Sequence, residues 1–166
     1  METTRAMESP SLMELPFQNE SLKEFAGSYA MATLPSGLPF IVDDEENIAR
    51  FLYHRSLYST LGPKTSAFLP HKQDRETSVF RHGSEPQEQL WAIGSDVAGE
   101  RYLYGAAIVK TRDVREARLI VHADEPPPRH AVITGWPWDE NDQKLQKAKQ
   151  KEIAELLVSK SALLVR

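Results

Sequence analysis

The sequence predicts an α+β fold: a mixed or antiparallel sheet of about five strands packed against two or three helices, with a long C-terminal helix and a mobile N-terminal tail. Three observations carry this. Strand-like and helix-like stretches follow one another without the regular alternation of a doubly wound sheet. Two stretches, RYLYGAAIVK (101–110) and ARLIVHAD (117–124), are β-branched and aromatic. After Pro137 the leucines recur at helical spacing.

Taken in order, residues 1–20 are rich in Glu, Ser and Pro and bury too little apolar surface to offset their ordering entropy, so they form an acidic, flexible tail. Residues 21–166 then form a single domain. Within the tail, SLMELPF (11–17) offers Leu12 and Phe17 as an apolar stripe for another chain. GLPFIV (37–42) reads as a short strand after a turn. DDEENIARFLYHRSLYS (43–59) reads as a helix, because the acidic run Asp43 to Glu46 suits the positive end of a helix dipole and Ile48 and Leu52 lie one turn apart. TSAFLP (65–70) and ETSVFR (76–81) read as strands, the second with Ser78 and Phe80 facing away from Thr77 and Val79. SEPQEQLWAIG (84–94) carries the marks of a short helix: Ser84 as N-cap, Gln87 three positions on, Pro in the first turn and Gly94 beyond the end.

RYLYGAAIVK, ARLIVHAD and HAVITGW (130–136) follow as strands. Asp139 then caps the terminal helix, with Leu145, Ile153, Leu156, Leu157, Leu163 and Leu164 along one sector facing the sheet.

Length and composition bound the possibilities. A chain of 166 residues suffices for one ordinary domain, and 40% apolar with 27% charged residues excludes wholesale disorder and fibrous repeats. Without cysteine there are no disulfides, thiolate nucleophiles or thiolate metal sites. The N-terminus lacks a basic region followed by an apolar run, and no stretch approaches a membrane span, so a cytoplasmic protein without membrane contact is expected. The formal charge of −4 is uneven: residues 1–48 hold 2 basic and 9 acidic side chains, and the remainder holds 18 basic and 15 acidic. An acidic tail and a mildly basic body fall well short of the basic stripe of a nucleic-acid binder. Neither G-x-x-x-x-G-K-[ST] nor G-x-G-x-x-G occurs, and no cofactor is expected.

The densest chemistry lies in HADEPPPRHAVITGWPWDEN (122–141). Pro126 to Pro128 stiffen the connection between two strand candidates, so flanking side chains are held still. If the strands form an antiparallel hairpin, register decides whether His122 and His130 share a face. A shared face makes His122, Arg129 and His130 candidate catalytic residues, with a histidine moving a proton and Arg129 gripping a phosphate or carboxylate. A divalent metal on His122, Glu125 and His130 is the weaker alternative, since H-x2-E-x4-H matches no helical metalloprotease spacing. The plainer alternative pairs Arg129 with Asp124 or Glu125 and half-buries both histidines. Trp136 and Trp138 are either anchors between sheet and helix or stacking platforms. Arg81 and His82, beside the helix start at Ser84, are candidate anion binders. Tyr53, His54, Arg55 and Ser56 point different ways on one element and form no constellation. Lys144, Lys147 and Lys151 make a basic ridge at helical spacing.

Two functional expectations follow. One is a non-enzymatic interaction or accessory module that docks on a larger protein partner, motivated by the charge contrast and the lack of a convincing nucleophile–base–orienter set. The other is an enzyme acting on a nucleotide or nucleic-acid phosphate through His122, Arg129 and His130. A weak nucleic-acid binder using Arg129 and the lysine ridge is a third possibility. Oligomeric state is not legible.

Overall fold

The computed structural model describes residues 32–83 and 85–166. Six strands form one antiparallel sheet in the spatial order β6-β7-β4-β1-β5-β8. They are β1 (Asn47–Leu52), β4 (Thr77–His82), β5 (Gly105–Lys110), β6 (Ile120–Ala123), β7 (His130–Thr134) and β8 (Ala162–Val165). A small hairpin of β2 (Tyr58–Ser59) and β3 (Gly62–Pro63) stands apart. Three helices, α1 (Gln87–Ala98), α2 (Thr111–Glu116) and α3 (Gln143–Lys160), complete the α+β architecture. No helix among the described residues is long and apolar enough to cross a membrane.

Both faces of the sheet are covered. On one side Ile48, Leu52, Val79, Val109 and Ile133 pack with Val114 of α2 and with Ala154 and Leu157 of α3. On the other, Ala49, Phe51, Phe80 and Ala106 pack with Leu90 of α1 and with Leu103. Gly94 shows how closely α1 approaches, because a Cβ placed there would lie 2.7 Å from both the Leu103 side chain and the Phe51 ring. That contact explains why the helix runs through Gly94 instead of ending there; it stops at Gly99, whose φ is 60°. The position before its first residue is Pro86, with no side-chain cap, while Ser84 lies outside the described residues.

The stretch expected as a helix after Asp43 is the central strand β1. It pairs with β4 on one side and β5 on the other, and Ile48, Ala49, Phe51 and Leu52 are all buried. A strand covered on both faces loses its polar alternation, and Ile48 and Leu52, four apart, satisfy a helical row and an even-numbered strand face equally well. The acidic run therefore serves a different purpose. Asp44 pairs with Arg115, and Glu45 meets Lys110 and Arg112, each at 2.7 Å. Glu46 receives Nε and Nη2 of Arg81, both at 2.7 Å.

Several other elements depart from expectation. GLPFIV is not a strand: Thr33 bridges Pro39 across a turn, and Val42 drops into the core. TSAFLP becomes a short 3-10 turn at Thr65–Ala67, from which Ala67 and Phe68 are buried, since two apolar side chains can reach a core from a turn as well as from a strand. The helix cap falls to Asp142, whose carboxylate accepts from Leu145 N at 2.8 Å, while Asp139 accepts from the amides of Asn141 and Asp142. Leu163 and Leu164 leave the helix and lie in β8, where they point to opposite faces of the sheet. Leu145 and Leu156 stay exposed, because the inward side of α3 is the row Gln150, Ala154 and Leu157.

Among the charged contacts of the described residues, Arg81 with Glu46 is the most deeply buried; the Arg81 side chain is 1% exposed and that of Glu46 is 12% exposed. Removing one partner of such a pair strands a charge in the interior. Glu46→Ala is expected to cost about 3–5 kcal/mol in urea unfolding. Glu45→Ala, whose carboxylate faces solvent, should leave the midpoint unchanged.

Candidate functional site

Strands β4 and β7 pair with Thr77 opposite Ile133, Ser78 opposite Val132 and Phe80 opposite His130. Alternation along β4 turns Ser78 and Phe80 to the side opposite Thr77 and Val79, as the sequence pattern predicts. The same alternation along β7 brings His130 and Val132 to the face of Ser78. Ser78 and His130 are thus diagonal neighbours across two strands, and Ser78 Oγ lies 2.8 Å from His130 Nε2. On its other side, His130 Nδ1 lies 2.8 Å from the backbone oxygen of Asp124 and 3.1 Å from Asp124 Oδ2. The Phe80 ring, 5.1 Å from the imidazole centroid, supports it from beneath.

The tautomer follows from these partners. Both neighbours of Nδ1 are acceptors, so the neutral ring carries its proton on Nδ1 and presents a lone pair at Nε2. Ser78 then donates its hydroxyl proton to Nε2, which is the arrangement a general base needs beside a nucleophile. The Asp124 carboxylate is 59% exposed. Its charge is screened by water, and its backbone oxygen contributes as much to orienting the ring.

Ser78, Asp124 and His130 line one cleft of about 270 Å³, together with Arg50, Asp74 and Glu76. Arg50 enters where β1 and β4 part. Their ladder ends at Ala49 opposite Phe80, and beyond it Arg50 donates from Nη1 to Ser78 O at 2.9 Å and from Nε to Ala67 O at 3.0 Å. Burial, with Arg101 adding to it and Tyr53 opposing, pushes the guanidinium pKa below its ordinary value. No carboxylate among the described residues forms an ion pair with Arg50.

Of the residues singled out from sequence, His130 alone among His122, Arg129 and His130 lines this cleft. The hairpin register is Ala123 opposite Ala131 and His122 opposite Val132. The two histidines share a face but are two residues out of step, and His122 stands exposed on the edge strand. Arg129 is buried elsewhere: its side chain pairs with Glu85 and donates from Nε to Arg81 O at 3.0 Å, and its amide donates to Glu125 Oε1 at 2.8 Å. Glu125 is further engaged by Ser36 N at 3.0 Å. Burial works to raise the Glu125 pKa, but the bonds from Ser36 and Arg129 outweigh it and hold the carboxyl low. Glu125 is therefore not turned toward the histidines, and among the described residues no group of three or more His, Asp or Glu side chains is placed to hold a metal ion.

Arg81 is occupied by Glu46 and by Pro39 O at 2.6 Å, and so offers nothing to an external anion. His82 is half-buried at the end of β4. Trp136 is buried in the core beneath α3, whereas Trp138 faces a groove of about 610 Å³ with the Arg75 guanidinium 4.2 Å from its ring centroid. Lys147 and Lys151 border that groove; Lys144 does not. Leu12 and Phe17 lie outside the described residues. Ser78, Arg50 and the orienting role of Asp124 escaped the sequence reading, because the serine is 52 residues from its histidine and nothing local marks either partner.

Comparison with protein-family models, curated proteins and solved structures finds no match to this chain.

His82 supplies a pH signature separate from the cleft. Burial pushes its pKa below the ordinary imidazole value, Arg129 adds to this and Glu85 opposes it. The unfolded chain then takes up a proton near pH 6.5 that the folded chain resists, so this contribution to stability is full above about pH 6.5 and declines below it. His82→Gln should flatten the fall in unfolding free energy just below pH 6.5, measured by urea titration at a series of pH values.

Proposed function

We propose that the chain is a hydrolase that uses Ser78 as nucleophile, His130 as general base and Asp124 as the group that orients the imidazole. The supporting observation is the continuous path from Asp124 through His130 to Ser78 inside a solvent-reachable cleft. In the reaction, Ser78 Oγ bonds to the carbonyl carbon of an ester or amide while its proton passes to His130 Nε2. The carbon–heteroatom bond breaks, and the leaving alcohol or amine takes the proton from His130. Water then attacks the acyl-serine, gives its proton to His130, and releases the acid with Ser78 restored.

This reading keeps His130 as the proton carrier but moves the reaction from nucleic-acid phosphate to an acyl group. Asp74, Glu76 and Asp124 around the cleft repel a polyanionic backbone. A cytoplasmic setting goes with the proposal.

An alkyl fluorophosphonate tests it directly, since an activated serine displaces fluoride and keeps the phosphonyl group. Intact mass and peptide mapping should locate one adduct on Ser78, absent in Ser78→Ala and slowed at least 100-fold in His130→Gln. No adduct on Ser78, with the protein folded, would remove the hydrolase reading.

The accessory-module reading draws on a different surface. The groove beside α3 joins the apolar sides of Leu69 and Trp138 to the basic side chains of Lys72, Arg75, Lys147 and Lys151, against Asp139 and Glu140, of which Glu140 pairs with Arg75; the basic excess suits an acidic, apolar segment of a partner protein. On that reading Trp138→Ala should weaken partner binding at least tenfold in a direct titration while Ser78 labelling is unaffected. Equal affinity of variant and parent would exclude the groove as the docking surface.

A further inference from the structure

We infer that the substrate of the Ser78 site carries a single anionic group, a carboxylate or a phosphate, bound by Arg50 in a second cavity that opens beside the first. This inference rests on the hydrolase reading for its reacting end, but the anion site stands on its own observations.

Arg50 and His71 line two cavities at once. The cleft of Ser78 lies on one side, and a cavity of about 470 Å³ lies on the other. The two differ in charge. The Ser78 cleft is bordered by Asp74, Glu76 and Asp124, whereas the second cavity has Arg50, His71 and Lys72 with Ser66 and Gln73, and no carboxylate. An anion excluded from the first is therefore accommodated in the second.

The bonding of Arg50 points the same way. Of its five N–H donors, Nε and one on Nη1 are taken by the carbonyls of Ala67 and Ser78, and among the described residues Nη2 has no hydrogen-bond acceptor. Compare the other two arginines set deep in the fold: Arg81 is matched by Glu46 and Arg129 by Glu85. A guanidinium fixed by two carbonyls yet lacking a carboxylate is preorganised for an anion from solution, and its planar fork fits carboxylate or phosphate oxygens. Lys72, exposed at the mouth, adds attraction without constraint.

Because Arg50 also holds Ser78 O, the anion and the nucleophile are separated only by the span of one side chain. The substrate is thus a small ester or amide whose anionic group sits a few bonds from the scissile carbonyl.

The test uses two parts that can fail separately. First, hydrolysis of mono(4-nitrophenyl) glutarate is compared with that of 4-nitrophenyl acetate, with Ser78→Ala as background. The parent should favour the anionic ester by about 10- to 100-fold in kcat/KM. Arg50→Gln should bring the ratio close to one, with Arg50→Lys recovering part of the preference. If Arg50→Gln does not fold, Lys72→Gln on the surface should still reduce the ratio. Second, succinate and inorganic phosphate are titrated separately into Ser78→Ala by calorimetry. Saturable succinate binding identifies a carboxylate and saturable phosphate binding a phosphate, either being lost in the Arg50→Lys, Lys72→Gln double variant. Labelled Ser78 with no ester preference and no binding of either anion overturns the anion site alone. Anion binding with an unlabelled Ser78 overturns the hydrolase and leaves the anion site standing.

Discussion

The buried fork between Arg81 and Glu46 is the constraint on which the end of the sheet that carries Ser78 and His130 depends. Arg81 sits in β4, three residues from Ser78, and its guanidinium ties the strand to Glu46 and to Pro39 O. Its backbone is tied as well, because Arg81 N donates to Arg129 O and Arg81 O accepts from Arg129 Nε. Arg129 immediately precedes His130. The linked arginines therefore tie β4 to β7 next to the point where Ser78 and His130 meet, and a shift of register by one residue would turn His130 to the other face. Desolvating an ion pair this deep has a cost that Coulomb attraction alone does not reliably offset, whereas removing one partner leaves the other charge buried and unpaired.

Arg129 extends the same brace into the loop between β6 and β7. Its φ of 65° is uncommon for a residue with a side chain, and it is held there by Glu125, Glu85 and the Arg81 carbonyl together. Such a conformation persists when its surroundings over-determine it. The carboxylates near the prolines are thereby divided. Glu125 locks the loop to the segment at Ser36, and Asp124 remains free to face His130. Against the two paired arginines, Arg50 stands out for being satisfied by carbonyls.

Much of the architecture was legible. ETSVFR, RYLYGAAIVK, ARLIVHAD and HAVITGW lie on strands, the stretch around QEQLWAI lies on a helix, and a long helix follows Pro137. The errors cluster where one local signal serves two structures. The acidic run before Asn47 resembles a helix start, yet its carboxylates neutralise arginines and a lysine from β4, β5 and α2. Leu163 and Leu164 extend a helical stripe on paper, but β5 has an edge on the side away from β1, and pairing with it satisfies backbone groups that a further helical turn would leave at the frayed end. For the site, His130 was picked out from its surroundings in sequence, while Ser78 was read only as one face of a strand. Arg50 gave no signal at all.

What the sequence by itself determined is the set of elements that declare their own period, their polar and apolar faces, and the stiff proline connection between two strands. These depend on neighbours within a few residues, where side-chain spacing and backbone restriction act directly. Tertiary structure alone decided which carboxylate meets which arginine, that β1 lies at the centre of the sheet, and that Ser78 faces His130. Those outcomes rest on register between strands distant in the chain, and register is chosen by the whole two-sided core, which no local stretch contains.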